Sequence, residues 1–295
     1  MKSLRPVLAL LVPLFSACSD SDHGHSSQDP RNVELTFAAT FGDTLAACGT
    51  PYEGLGTGES TVRLGDARFF LSQIEAKNAA GEWVALAMGN VAPWQHDGVA
   101  LLDFEDGSAG CSESGTPETN AVVTGTLPAG EYSALRFAVG LPFAKNHLDS
   151  ATAPEPLNAP GMFWSWQGGY KFARVDLLVE GGAVPRWNVH VGSTECASAG
   201  SAVAPGEPCG KPNLATIELD GFEADDHVVR IDLAALVAAA GIHENAASTA
   251  PGCMSVPNES ADCAPVFSAL GLDFETGACE GDCADQSVFA WAHGL

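Results

Sequence analysis

The sequence predicts a mainly β protein: a single antiparallel β-sandwich-like domain with long disulfide-stapled loops and one or two short helices. Three observations predict it. Short runs of alternating apolar and polar residues recur from Val33 onward, clusters of Gly, Pro, Asn and Asp separate them, and most cysteines fall in the loops between them. No internal repeat or break in composition divides residues 33–295, which therefore read as one sandwich domain.

The chain begins differently. Lys2 and Arg5 precede the apolar run "PVLALLVPLF", and small residues lead to Cys18. That pattern is a secretion signal over residues 1–17 rather than a membrane helix. "FSAC" resembles the lipobox of bacterial lipoproteins, which makes Cys18 the expected lipidation site; Ser19 is compatible with outer-membrane sorting. The expected location is the cell envelope, either lipid-anchored and periplasm-facing or, with an ordinary cleaved signal, soluble in the periplasm. Residues 18–32, "CSDSDHGHSSQDPRN", hold no core residue and read as a flexible tether, with His23 and His25 inert within it.

"VELTFAATF" opens the domain by alternating Val33, Leu35, Phe37, Ala39 and Phe41 against polar neighbours. Further strand candidates are "STVRL", "ARFFLSQIEA", "EWVALAM", "GVALLDF", "NAVVTGTL", "SALRFAVGL", "YKFARVDLLVEG", "WNVHVG", "LATIEL" and "HVVRIDL". "LAALVAAAG" reads as a helix capped by Asp232 and stopped by Gly241. Long loops are expected near 142–162, 192–213 and 243–265.

Setting Cys18 aside leaves eight cysteines, Cys48, Cys111, Cys196, Cys209, Cys253, Cys263, Cys279 and Cys283, enough for four disulfides in an oxidising compartment. Many pairings are open. Short separations favour Cys196–Cys209, Cys253–Cys263 and Cys279–Cys283, which leaves Cys48–Cys111. No CxxC is present, which argues against a thiolate zinc site. The formal charge of −24, two units more negative once Lys2 and Arg5 leave with the signal, opposes nucleic acid and anionic lipid. Any membrane association therefore runs through the anchor at Cys18.

Enzyme signatures are missing: no GxSxG, HExxH or phosphate-binding loop occurs. "GLGTG" at 54–58 reads as a turn, and "DFEDG" at 103–107 as a β-turn with acidic edges, since the spacing of a calcium loop is absent. Two tryptophans flank one serine in "FWSWQGGYKF". In an extended segment Trp164 and Trp166 share a face. In "RWNVHVG", Trp187, Val189 and Val191 fall on one face and Arg186, Asn188 and His190 on the other. His147 follows an apolar strand in "LPFAKNH", and His96 sits in "PWQHDG".

These segments together, "LPFAKNH", "FWSWQGGYKF" and "WNVHVGSTEC", with "YEGLGTG", "LLDFEDG" and "GCMS", resemble the MbnP family over most of residues 33–290. Proteins of this family are the metallo-mystery pair four-Cys partners of a di-haem, MauG-like cytochrome c peroxidase relative, MbnH. The resemblance implies that this chain binds copper, expected as Cu(I), after the first tryptophan of WxW, Trp164, is oxidised to kynurenine. An indole nitrogen commits its lone pair to the ring, whereas opening that ring frees an arylamine that is neutral and able to donate. His147 and His190 are the expected imidazole ligands, with His96 and Met162 as weaker candidates. Trp166 is a packed neighbour of the modified residue, and Asp149 or Asp176 is the expected acceptor orienting a ligand imidazole. The chain is on this reading the substrate of an oxidising enzyme and not itself an enzyme. Two other readings compete: a carbohydrate-binding sandwich with Trp164 and Trp166 as a stacking platform, and a structural envelope lipoprotein with both in its core.

Overall fold

The structure is a computed structural model that describes residues 29–113, 115–165, 167–222 and 228–292. The signal, Cys18, His23, His25, Trp166, His227 and His293 lie outside the described residues.

Alternating sequence produces two sheets with a shared interior. In the first, the strand order is Phe289–Trp291, Val228–Asp232, Arg31–Phe41, Val122–Leu127 and Ala87–Met88. The second runs Ala215–Asp220, Tyr132–Val139, Ser60–Asn78, Ala173–Val179, Arg186–Val191 and Gly252–Cys253. Most pairings are antiparallel; Arg31–Phe41 with Val228–Asp232, and Arg186–Val191 with Gly252–Cys253, are parallel. "STVRL" and "ARFFLSQIEA" are one 19-residue strand, Ser60–Asn78, because Gly65 and Asp66 continue the ladder. "EWVALAM" instead splits, Trp83–Ala85 joining the second sheet and Ala87–Met88 the first. The first strand starts at Arg31, earlier than the predicted Val33, since Arg31 and Asn32 still find partners in Leu127 and Thr126.

Phenylalanines close the sandwich. Phe37 and Phe289 of the first sheet meet Phe137 and Phe69 of the second edge to face: Phe37–Phe137 at 5.7 Å, Phe137–Phe289 at 5.6 Å and Phe69–Phe289 at 6.4 Å between centroids. Along Ser60–Asn78, Ala67, Phe69 and Leu71 enter this core, so Asp66, Arg68 and Phe70 face outward. Phe70 marks a junction. Its N–H donates to the Phe172 carbonyl at 2.8 Å and its carbonyl accepts from Gly140 N–H at 2.8 Å, so two partner strands succeed one another along one edge there. Phe70 also seeds a second apolar cluster with Leu141, Leu157, Met162, Tyr170 and Phe172, which anchors the 142–162 loop on the outer face.

The helix predicted over "LAALVAAAG" is Leu233–Val237, capped by Asp232, whose Oδ1 accepts from Ala234 and Ala235 N–H at 3.0 and 3.2 Å. It stops before the alanine run ends. A longer helix, Ser260–Ala269, lies where the sequence reads mainly as loop, and one helical turn, Phe143–Asn146, opens the 142–162 segment. The disulfides are Cys48–Cys111, Cys196–Cys209, Cys253–Cys263 and Cys279–Cys283. Of the acids of "DFEDG", Asp106 is an exposed turn edge that accepts from Ser108 N–H at 2.9 Å, whereas Asp103 and Glu105 are buried, Asp103 beside Arg68 on a paired strand and Glu105 accepting from Gly107 and Thr116 N–H at 3.0 and 2.9 Å. Burial pushes Asp103 up to about 7.

Phe137 is fully buried between rings of both sheets. Phe137→Ala is expected to cost about 3–5 kcal/mol, read as a lower denaturation midpoint in urea with an unchanged slope.

Candidate metal centre

Three neighbouring strands present a polar outer face. Register sets Arg174 beside both Arg68 and His190, and Asp176 beside both Asp66 and Asn188. The covering loops bury these groups, so each charge must find a partner. Arg68 pairs with Asp66, its Nε to Oδ1 at 2.8 Å. Arg174 bridges Asp66 at 3.2 Å and Asp176 at 2.7 Å, and Arg186 reaches Asp176 at 3.4 Å. The Gly161 carbonyl accepts from Lys171 Nζ at 2.8 Å and Arg174 at 3.2 Å.

His190 ends this network. Its Nε2 lies 2.6 Å from Asp176 Oδ1 and the residue is 8% exposed. Burial disfavours the charge on Asp176, yet the His190 hydrogen bond and the Arg174 guanidinium outweigh it and hold its pKa well below the usual carboxylate range. Burial lowers the His190 pKa despite the bond to Asp176. The pair at neutral pH is therefore a carboxylate accepting from a neutral imidazole, with Nε2 protonated and the lone pair on Nδ1. Asp176, not Asp149, is the acceptor; Asp149 instead accepts from Ala151 N–H at 2.9 Å and Thr152 Oγ1 at 3.2 Å in its own turn.

Trp164 stands next to His190, with ring centroids 6.5 Å apart and planes inclined at 55°. It lies in a small hairpin, Phe163–Ser165 against Gly169–Tyr170, whose turn is held by Gly168 N–H donating to Ser165 Oγ at 2.9 Å. Two glycines make the close fit possible. A Cβ on Gly169, at φ +73°, would lie 2.4 Å from the Asn146 carbonyl, and one on Gly192 would lie 2.5 Å from Trp164 Cζ3. The indole thus packs directly on the backbone after His190. Its other side faces a cavity of about 430 Å³ that Ser193, Glu195, Cys196, Met254 and Val256 also line.

His147 ends the Phe143–Asn146 turn behind two residues of the cavity lining, Ser193 and Cys196, and is 8% exposed. Asn146 Oδ1 accepts from Tyr170 N–H at 2.9 Å, which directs its amide Nδ2 toward Ser193 Oγ and His147 Nε2, each at 3.2 Å. An accepting Nε2 carries the His147 lone pair. That nitrogen is also 3.5 Å from Cys209 Sγ, and His147 Nε2, Cys196 Sγ and Cys209 Sγ all lie within 4.8 Å of one another. The two sulfurs are bonded to each other, so neither is a thiolate.

The structure therefore gathers Trp164, His190 and, through Asn146, Ser193 and the Cys196–Cys209 disulfide, His147. It does not gather the weaker candidates. His96 is on a hairpin strand that joins Val99–Asp103, at the opposite edge of Ser60–Asn78 from the strands carrying Arg174 and His190. Met162 is fully buried in the second apolar cluster, because the 3-10 turn Pro160–Met162 breaks the alternation that would align it with Trp164. Met254 is the thioether on the cavity instead, and Ser255 beside it ties the end of the His190 strand, donating to the His190 carbonyl at 2.9 Å. Both lie in "GCMS", a segment whose sequence signal is its adjacency to Cys253.

A disulfide-tied sandwich with two buried imidazoles and a tryptophan beside a cavity is a scaffold that carries candidate metal donors. The chain belongs to the MbnP family, whose model matches residues 30–255. Among solved structures it is similar to MbnP from Methylosinus trichosporium, with 29% identity, a TM-score of 0.77, and 90% of this chain and 100% of that one covered. No curated protein matches the chain.

A neutral His190 in the folded state has a titration consequence. A lowered folded pKa means its stability contribution is complete above the ordinary histidine value and is lost as the pH falls through the folded value. From about pH 8 to about pH 5, the wild-type chain should therefore lose stability relative to His190→Asn. Urea unfolding of both across that range measures it; a gap that widens the other way refutes the neutral assignment.

Proposed function

We propose that this protein is a copper-binding protein of the cell envelope whose site is completed by oxidation of Trp164. Copper is its cargo, held as Cu(I) by His147, His190 and the arylamine of a kynurenine at position 164. The observation that carries the reading is the adjacency of Trp164 to His190, with both histidines buried and His190 held by Asp176 through Nε2. Cu(I) accepts imidazole readily and tolerates two or three ligands. With the eight cysteines of the folded part in disulfides, nitrogen donors are what the site offers.

Each residue has a separable task. Asp176 fixes the His190 tautomer and ring plane, and the Asn146 amide, which now meets His147 Nε2, would give way to the metal there. Gly192 lets the 164 ring sit against the strand end. The cavity gives an oxidant access to the indole. Cleavage of the pyrrole C2–C3 bond takes two oxygen atoms from a peroxide or dioxygen co-substrate to give a ketone and an N-formyl arylamine. Hydrolysis releases that carbon as formate, leaving the free arylamine with a net loss of one carbon and gain of one oxygen. A di-haem, MauG-like partner is the oxidising agent on this reading, and the chain its substrate rather than an enzyme.

Disulfides favour an oxidising compartment, and among the described residues no helix is long and apolar enough to cross a membrane. Lipidation at Cys18 is proposed as the anchor. The carbohydrate reading is less favoured, because Trp164 is half-buried on Gly192 and does not offer a flat open face.

Protein matured beside its oxidising partner should give a 164 peptide with one carbon lost and one oxygen gained, and only that form should co-purify with stoichiometric copper. His147→Ala or His190→Ala should abolish copper retention while leaving the fold intact by circular dichroism. Equal copper binding by the unmodified chain overturns the arylamine ligand.

A further inference from the structure

His147 faces a second donor set that the copper reading does not use. Its Nε2 lies 3.5 Å from Cys209 Sγ, and with Cys196 Sγ the three atoms lie within 4.8 Å of one another. A tetrahedral ion with ordinary Zn–N and Zn–S bonds holds its nitrogen and sulfur donors about 3.5 Å apart. The imidazole is thus already at ligand spacing from a sulfur that the disulfide withholds.

We propose that Cys196, Cys209 and His147 form a redox-gated site for a thiophilic divalent ion, closed in the disulfide and open in the dithiol. It shares His147 with the copper reading and needs neither Trp164 nor His190. Three features support it. The backbone is braced on both sides of the pair: Thr194 and Lys211 exchange hydrogen bonds at 3.0 and 3.1 Å, and Gly210 N–H donates to the Glu195 carbonyl at 3.1 Å. The two sulfurs therefore stay adjacent after the bond opens. Gln167 also ties the loop to the Trp164 hairpin, its Nε2 donating to the Cys196 carbonyl at 3.0 Å and its N–H to the Ser201 carbonyl at 3.2 Å. Cys209 is half-buried and Cys196 lines the cavity, whereas each other pair contains a cysteine exposed by 1% or less. The neighbouring imidazole distinguishes this disulfide from the others, since Cys279 is also half-buried and lines a cavity.

The chemistry balances through thiol–disulfide exchange. A small dithiol supplies two electrons and two protons and becomes a disulfide, while Cys196 and Cys209 become thiols. On binding the ion, both thiols release their protons to solvent, and two S–metal bonds and one N–metal bond form, with water in the fourth position. His147 needs no proton change, since Nε2 already carries its lone pair.

The test uses the whole exported chain, made without the oxidising partner. It is treated with limiting dithiothreitol, desalted under anaerobic conditions and titrated with Cd²⁺. Alkylation mapping should place the new thiols at Cys196 and Cys209, and one Cd²⁺ per chain should bind with an ultraviolet sulfur-to-cadmium charge-transfer band that the unreduced protein lacks. His147→Ala should weaken binding by at least about tenfold, the scale that loss of an outer-shell partner already reaches. His96→Ala, on the hairpin at the opposite edge of the long strand, should leave it unchanged. The proposal is overturned by reduction at a different pair, by absence of the band, by binding indifferent to His147→Ala, or by loss of the β circular-dichroism signal on reduction.

Discussion

The site depends on an electrostatic constraint: Asp176 is a buried carboxylate that must stay ionised. Arg174 and Arg186 neutralise it, and His190 completes its coordination by donating from Nε2. Removing the Arg174 guanidinium would leave Asp176 and Asp66 under-compensated in a covered sheet face, which is costlier than the pairing itself is stabilising. The same arrangement defines which imidazole nitrogen is available. Structural need and chemical need coincide at one oxygen atom.

Neutral donors at a site this enclosed have a kinetic merit as well. A cation entering a buried pocket need not displace protons from the histidines, and the acidic exterior of the chain concentrates cations near its surface. The Trp164 hairpin is carried by two different supports, the second apolar cluster on the Phe163 and Tyr170 side and the strand end at Gly192 on the other. A side chain held in this way would keep its place through the ring oxidation proposed for it.

Much of the scaffold was legible because strand alternation is a local signal. Trp187, Val189 and Val191 do enter the core while Arg186, Asn188 and His190 face outward, and the short-loop cysteine pairs formed as their spacing favoured. The Ser260–Ala269 helix was less legible, since Pro265 interrupts its pattern and its cysteine is committed to a disulfide. Met162, only a weaker ligand candidate, packs in the core because a 3-10 turn rotates it away from the parity of Trp164. Asp176 and Asp149 could not be told apart by distance along the chain; only register, which sets Asp176 on the outer face two residues from Arg174, separates them. Asp103 and Glu105 of "DFEDG" read as surface because their counter-charge, Arg68, comes from a different strand.

Phe70 divides the outer face of the long strand into an oily half, where a loop is glued down, and an ionic half, where the histidine is braced. Both halves take their sidedness from one alternating ladder. Moving that strand by a single position would send Phe69 outward among the guanidinium groups and Asp66 into the phenylalanine interior, so every later segment would inherit the error. Variation in this fold is accordingly tolerated in the lengths of its loops, and hardly at all in the phase of that one central strand.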